Sequence, residues 1–218
     1  QESLLHLAHI EEMTGKCIRL ALEPEPDCYL ETTDEFISFY NDFKKWNPEL
    51  TQRYLGICLD TCHLALQFEN LEESLEKLIA NDIPIAKAQV SSVLKYHNTG
   101  DAPEQLKAFN EGIYLHQTRV QQDNGQVKQF LDLPEALKQN SLGEWRVHCH
   151  VPLYFESNRN GMSSTSELLT QRFLHKLFAH CPNIETETYT FDVLPGEKAP
   201  LMQAMSDEIK WLLKALEK

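Results

Sequence analysis

The sequence predicts parallel α/β architecture of the (β/α)8 TIM-barrel kind, on two observations. Amphipathic helical segments alternate with short apolar runs rich in β-compatible residues, the pattern of a parallel sheet flanked by helices. Five such runs also stop at a polar group able to bind metal or substrate: Leu20-Ala21-Leu22 at Glu23, Tyr54 to Leu59 at Asp60, Ala86 to Ala88 at Gln89, Arg146-Val147 at His148 and His150, and Ile184 to Thr186 at Glu187. In parallel α/β barrels the site lies at the C-terminal ends of the strands. No repeat, low-complexity segment or linker divides residues 1–218, which are expected to form a single domain.

The elements follow in order. Leu4, Leu5, Leu7, Ala8 and Ile10 give Ser3 to Thr14 a helical stripe that Gly15 stops. Lys16 to Leu22 reads as a buried strand, and Pro24 and Pro26 force an extended loop after it. Thr33 is the expected N-cap of a helix across Asp34 to Lys45, with Phe36, Ile37, Phe39, Tyr40 and Phe43 inward. Asn47-Pro48 ends that helix, and Tyr54 to Asp60 is the next strand. Leu71 to Ala80 is amphipathic and leads to a strand over Ile85 to Gln89.

The alternation breaks after Ser92. His97 to Ala102 is polar, Leu106 to Asn110 suits a helical turn, and Asp123-Asn124-Gly125 between two strand-like runs is a hairpin signal. Residues 95–142 therefore read as an insertion carrying a hairpin. The α/β pattern resumes with a strand over Glu144 to Val151, a polar loop over Glu156 to Ser164 and a helix over Ser166 to Ala179. A last strand over Asn183 to Thr190 follows, and then a helix over Met202 to Lys218 with Ile209, Leu212, Leu213 and Leu216 on one face.

The formal net charge of −13 disfavours nucleic acid, because duplex binding draws on Lys and Arg contacts with phosphate. No apolar run approaches the roughly 18 residues needed to span a bilayer. Six scattered cysteines without a CxxC pair are expected as reduced thiols of a cytoplasmic protein.

Three strand-end carboxylates, Glu23, Asp60 and Glu187, would repel one another unless a cation sits between them. Gln89 lies between two of them in strand order, and its carbonyl oxygen is a candidate fourth ligand. His63, His148 and His150 form a second candidate cluster. His148 and His150 are expected to reach one centre only where the chain curls out of a regular strand, which Pro152 favours. His116 and Arg119 on the hairpin and Lys87 beside Gln89 are candidate substrate contacts, Arg119 as a clamp for a carboxylate or phosphate. His6, His9, His175 and His180 fall on helices and suggest no function. GxGxxG, GxxxxGK and GxSxG are all missing, so P-loop and serine-nucleophile chemistry have no support.

The stretch Gly56-Ile57-Cys58-Leu59-Asp60-Thr61-Cys62-His63 resembles the xylose isomerase-like TIM-barrel superfamily, which joins sugar isomerases and epimerases with endonuclease IV-type nucleases. Asp60 and His63 match its Asp-Thr-Cys-His strand end. Arg146 to His150 is similar to its Arg-Val-Asp-x-His loop, with His148 in place of the aspartate, and Glu187-Thr188 and Glu23 match further strand ends. Gln89 stands where the family has histidine. The matching segments correspond to the second half of such a barrel, so the resemblance implies that an N-terminal half or a second copy completes it. The His116-to-Val120 and His148-to-Phe155 segments look most like the barrel proteins of the Ebo metabolite-traffic clusters.

What the resemblance implies is a divalent-metal isomerase or epimerase (Mn, Mg, Co or Zn) acting on a sugar-like small molecule. Glu23 and Glu187 would then serve as both metal ligands and acid/base groups. The alternatives it implies are a non-catalytic metabolite-traffic protein and an endonuclease IV-like phosphodiesterase.

Overall fold

Two sheets of opposite character meet end to end in the computed structural model, which describes residues 1–100, 104–155, 161–187 and 189–217. Parts of the loops expected at 97–102 and 156–164, together with Thr188 and Lys218, lie outside the described residues.

The first half builds the parallel sheet. Helix α1 (Glu2–Thr14) ends at Gly15, whose φ of 70° is the left-handed conformation that glycine reaches most cheaply. Strand β1 is Leu20–Leu22, shorter than expected. Helix α2 (Thr33–Trp46) starts one residue earlier than the sequence suggests. Thr32 is its cap, and Glu35 closes a capping box. Of its apolar face, Phe36 and Tyr40 are fully buried. Asn47-Pro48 then both ends α2 and opens an unforeseen helix, α3 (Pro48–Tyr54). Asn47 Oδ1 accepts the Leu50 N–H there, and Pro48 takes the first helical position, where no N–H is needed.

Strand β2 (Leu55–Asp60), helix α4 (Thr61–Leu66), helix α5 (Leu71–Ala80) and strand β3 (Ile85–Val90) follow. All six residues of β2 and all six of α4 are buried.

Val93–Asn98 forms β4, and the chain there leaves the parallel sheet for an antiparallel one. After a 3-10 turn (Glu104–Phe109) come the hairpin strands β5 (Thr118–Gln121) and β6 (Val127–Phe130), joined through Asp123-Asn124-Gly125 as expected. Helix α6 (Leu133–Gln139), strand β7 (Gly143–His150) and strand β8 (Met162–Ser164) follow. A second 3-10 turn (Thr165–Leu168) leads into helix α7 (Gln171–His180). Strand β9 (Ile184–Thr186) and helix α8 (Leu201–Glu217) close the described chain.

The parallel sheet has the order β1-β2-β3-β9, and the antiparallel sheet the order β6-β5-β7-β4-β8. This corrects the predicted (β/α)8 TIM barrel of xylose isomerase-like type. Among the described residues only four strands are parallel, and they form an open sheet with β1 and β9 as its edges. The segment expected to resume the barrel at Glu144 instead pairs antiparallel with β4 and β5, Tyr96 opposite Trp145 and Val120 opposite Trp145. The supposed insertion and this strand are therefore one sheet with its own apolar core around Leu94, Val120, Leu133, Trp145 and Val147. A larger core packs Ile57, Leu59, Ala88 and Val90 against Phe36, Leu75, Phe173 and Leu177. On α8, Leu212 is buried, but Ile209 and Leu213 are half exposed, so the predicted face is rotated. Among the described residues no helix is long and apolar enough to cross a membrane, and all six cysteines are free.

One buried charge in α8 tests the packing. Glu208 is 1% exposed; its Oε1 accepts the Leu153 N–H at 3.1 Å and its Oε2 has no partner. Burial pushes its pKa from 4.5 up to about 7, against a smaller opposing effect of the Leu153 N–H. The folded state then holds a proton that the unfolded state releases, so stability falls as pH rises from 4.5 to about 7. The loss amounts to about 3 kcal/mol. Glu208→Gln keeps the acceptor for Leu153 and cannot ionise. It should raise Tm by several degrees at pH 8 and leave it unchanged near pH 4.5, read by thermal melts at the two pH values. An equal Tm shift at both pH values would refute this assignment.

Candidate metal centre

The ends of β2, β3, β7 and β9 converge because of how the chain crosses between the sheets. Asp60 closes β2 and caps α4, its Oδ1 accepting the Cys62 N–H at 2.7 Å and the Ser91 hydroxyl. Asp60 is in register with Gln89, and Gln89 with Glu185, which brings Glu187 just beyond β9 into reach. On the other sheet, Val93 pairs with His150, so the end of β7 lies beside the end of β3.

Seven residues line a cavity of about 250 Å³ there: Glu23, Glu25, His63, His148, His150, Glu187 and Tyr189. Oxygens of Glu23, Asp60 and Glu187 lie within 4.8 Å of one another, and so do ligand atoms of Asp60, His63 and His150. His63 Nε2 is 3.8 Å from Asp60 Oδ2, and His150 Nδ1 is 3.9 Å from Glu187 Oε2. Ligand atoms about 2.1 Å from one ion stand about 3.4 Å apart in tetrahedral geometry, so these gaps are close to ion-sized.

Hydrogen-bond partners decide which nitrogens carry lone pairs. His63 Nδ1 is 3.0 Å from the Pro24 carbonyl oxygen, which only accepts; Nδ1 therefore carries the proton and Nε2 is bare. His148 Nδ1 likewise donates to Gln117 Oε1 at 2.8 Å, the Gln117 amide being oriented by its Nε2–H bond to the Pro26 carbonyl. His148 Nε2 is then bare and accepts from His150 Nε2 at 3.2 Å. His150 is left with a bare Nδ1, buried and without a partner. Asp60 Oδ2 is also buried and without a partner. Lone pairs are thus left on Asp60 Oδ2, His63 Nε2 and His150 Nδ1, in three residues that each bring a ligand atom within 4.8 Å of the others.

The electrostatics agree. Burial lowers the pKa of both His148 and His150, and for His148 the neighbouring His150 and His63 add to it, so both rings stay neutral. Burial also opposes the charge on Asp60. In acid, where the His63 and His150 rings can carry charge, their attraction outweighs burial with the help of the Ser91 hydrogen bond and holds Asp60 well below the usual carboxylate range. Glu187 is pushed up by burial and by the nearby charges of Asp60 and Glu23. Glu23 is raised by burial and by Asp60. Holding Asp60 low while Glu187 is raised is one way to offset the repulsion among these carboxyl groups. A cation is the other way to offset this repulsion.

The structure therefore gathers Glu23, Asp60, His63, His148, His150 and Glu187 from the expected set. The curl expected for His148 and His150 is not needed. Both lie within β7, and residues two apart in a strand share a face, so the two rings meet in regular structure. Gln89 stands beside the centre but turns its amide nitrogen toward it, donating to Glu187 Oε2 at 2.8 Å, so its carbonyl is not a ligand.

The three expected substrate contacts lie elsewhere. His116 is buried, Nδ1 against the His148 carbonyl and Nε2 against Glu111. Arg119 is buried with Asp27, Glu31 and Gln67. Lys87 pairs with Glu185 at 2.5 Å and lines a separate cavity. Sequence reasoning missed Glu25 and Ser91 altogether. Glu25 lies in the same Glu-Pro-Glu-Pro turn as Glu23, and that turn was the available signal.

Comparison with protein-family models, with curated proteins and with solved structures finds no match.

The proton assignments can be read directly. Histidine ¹⁵N–¹H correlation spectra of metal-free protein at neutral pH should show Nδ1–H tautomers for His63 and His148 and Nε2–H for His150. Gln117→Leu should release His148 from its tautomer and leave His63 unchanged. An Nε2–H tautomer at His63 in the parent protein would refute the lone-pair arrangement.

Proposed function

We propose that this chain is a divalent-metal-dependent isomerase or epimerase acting on a small sugar-like molecule. The observation that carries the reading is the convergence of Asp60 Oδ2 and His150 Nδ1, both buried and unpartnered, with His63 Nε2 beside Glu23 and Glu187. Mn, Mg, Co and Zn all suit a site of mixed oxygen and nitrogen donors. Asp60, His63, His150 and Glu187 would hold the ion. His148 would act behind them, passing the orientation set by Gln117 to His150.

The cation would polarise a carbonyl and grip the neighbouring hydroxyl. Glu23, at the cavity rim and with its pKa raised by burial and by Asp60, is placed to take a proton from the adjacent carbon and return it. Isomerisation only relocates protons within the substrate, so no oxidant or second substrate is required. Tyr189, whose ring lies 4.9 Å from that of Tyr114, offers an aromatic face at the mouth against which a sugar ring could stack. The local resemblance at Gly56 to His63 supports the same chemistry, and a cavity of about 250 Å³ suits a small molecule.

The free cysteines fit a cytoplasmic setting. Exposed Leu5, Met13 and Ile18 near one sheet edge, and Met202, Ile209 and Leu213 on α8, would accept a second copy or a further length of chain.

The test is exchange of a carbon-bound proton into deuterated water, screened over sugars and sugar phosphates with each metal, and an abasic-site oligonucleotide in parallel. Asp60→Asn keeps an oxygen for the Cys62 N–H and removes the charge. It should cut metal affinity and exchange by at least about tenfold with little change in melting temperature. Metal binding without exchange on any substrate would favour a metabolite-traffic role, and metal-dependent cleavage of the oligonucleotide would favour the phosphodiesterase. Protein that gains no thermal stability from any of the four metals would end the enzyme reading.

A further inference from the structure

Gln89 presents a donor where a second cation would need an acceptor. Its Oε1 accepts the Cys58 thiol at 2.9 Å, and its Nε2 donates to Glu187 Oε2 at 2.8 Å. The side chain is 6% exposed, and both ends of its amide are engaged by buried or half-buried partners. Turning the amide over would trade the acceptor of the Cys58 thiol for a donor and set a carbonyl against Glu187, so the observed orientation is the favoured one wherever that carboxylate is ionised. Without this donor, the three carboxyl groups of Glu23, Asp60 and Glu187, within 4.8 Å of one another, would offer enough negative oxygen for two ions. Two-metal centres place their ions about 3.5–4 Å apart and share carboxylates between them.

We propose that Gln89 restricts the centre to one cation, its amide N–H₂ occupying the flank of Glu187 that a second ion would need. This rests on the metal site of the proposed function and sharpens its substrate class. In-line displacement at phosphorus is served by two ions clamping the attacking and leaving oxygens. One ion beside carboxyl groups and neutral imidazoles suits polarisation of a carbonyl and proton transfer at the neighbouring carbon. Gln89 is thus a positioning residue that selects carbonyl chemistry over phosphodiester chemistry.

The test counts ions. Chelator-treated protein is titrated with Mn²⁺ by calorimetry, and the bound ions are examined by electron paramagnetic resonance. The parent chain should bind one Mn²⁺ with the spectrum of an isolated ion. Gln89→Glu, equal in size but with an acceptor in place of the donor, should double the stoichiometry and give the spectrum of a magnetically coupled pair. Gln89→His serves as a second variant in case a fourth carboxylate prevents folding. Two ions on the parent chain, or one ion on both folded variants, would overturn this inference and leave the metal site standing. A parent chain that binds no ion would remove the site itself, and this inference with it.

Discussion

The centre depends on a two-residue crossing, Ser91-Ser92, where the chain leaves a parallel sheet and enters an antiparallel one. The Ser91 N–H donates to Thr61 Oγ1, and the Thr61 hydroxyl donates to the Ser91 carbonyl, both at 2.8 Å. Ser91 Oγ donates to Asp60 Oδ1 and accepts the Cys62 N–H, while Ser92 Oγ donates to the Val151 carbonyl at 2.9 Å. These bonds tie the end of β2 and the start of α4 to the end of β3 and to the residue just past β7. Each group is buried, so an unmade bond would leave a desolvated polar atom at a cost of about 1–3 kcal/mol. The carboxylates of one sheet meet the imidazoles of the other because this crossing admits few other arrangements.

The chemistry of the centre comes from crowding. Asp60 is held low by neighbouring groups that outweigh its burial, and its charge in turn raises Glu187. Burial lowers the pKa of His148 and His150, which favours neutral rings whose nitrogens can accept hydrogen bonds. The hairpin sheet supplies the outer layer: Gln117, just before β5, aligns His148, which aligns His150.

Much of the site was legible because strand-end polar residues are conspicuous against apolar runs. Glu23, Asp60, His148, His150 and Glu187 announce themselves this way, and His63 by its place three residues after Asp60. The barrel was not the outcome, because helix and strand alternation reports local direction and not which strands pair. Only register shows that the strand from Gly143 joins β4 and β5. Arg119 looked like a free clamp since sequence does not reveal that Asp27 and Glu31, some 90 positions away, neutralise it in the interior. Helix α3 was hidden because Asn47-Pro48 signals a stop and a start with the same two residues. The donor role of Gln89 depends on Cys58 across the sheet, which no spacing encodes.

Asp60 serves two masters, one oxygen holding the first turn of a wholly buried helix and the other left without a partner beside His63. Selection for folding alone would therefore retain an oxygen-bearing side chain at that position, aspartate, asparagine, serine or threonine, after any chemistry had been lost. His63 has no comparable structural duty beyond its bond to the Pro24 carbonyl. Among descendants of this sequence, the record of whether the centre was kept would thus be written at residue 63, and residue 60 would be the poorer witness.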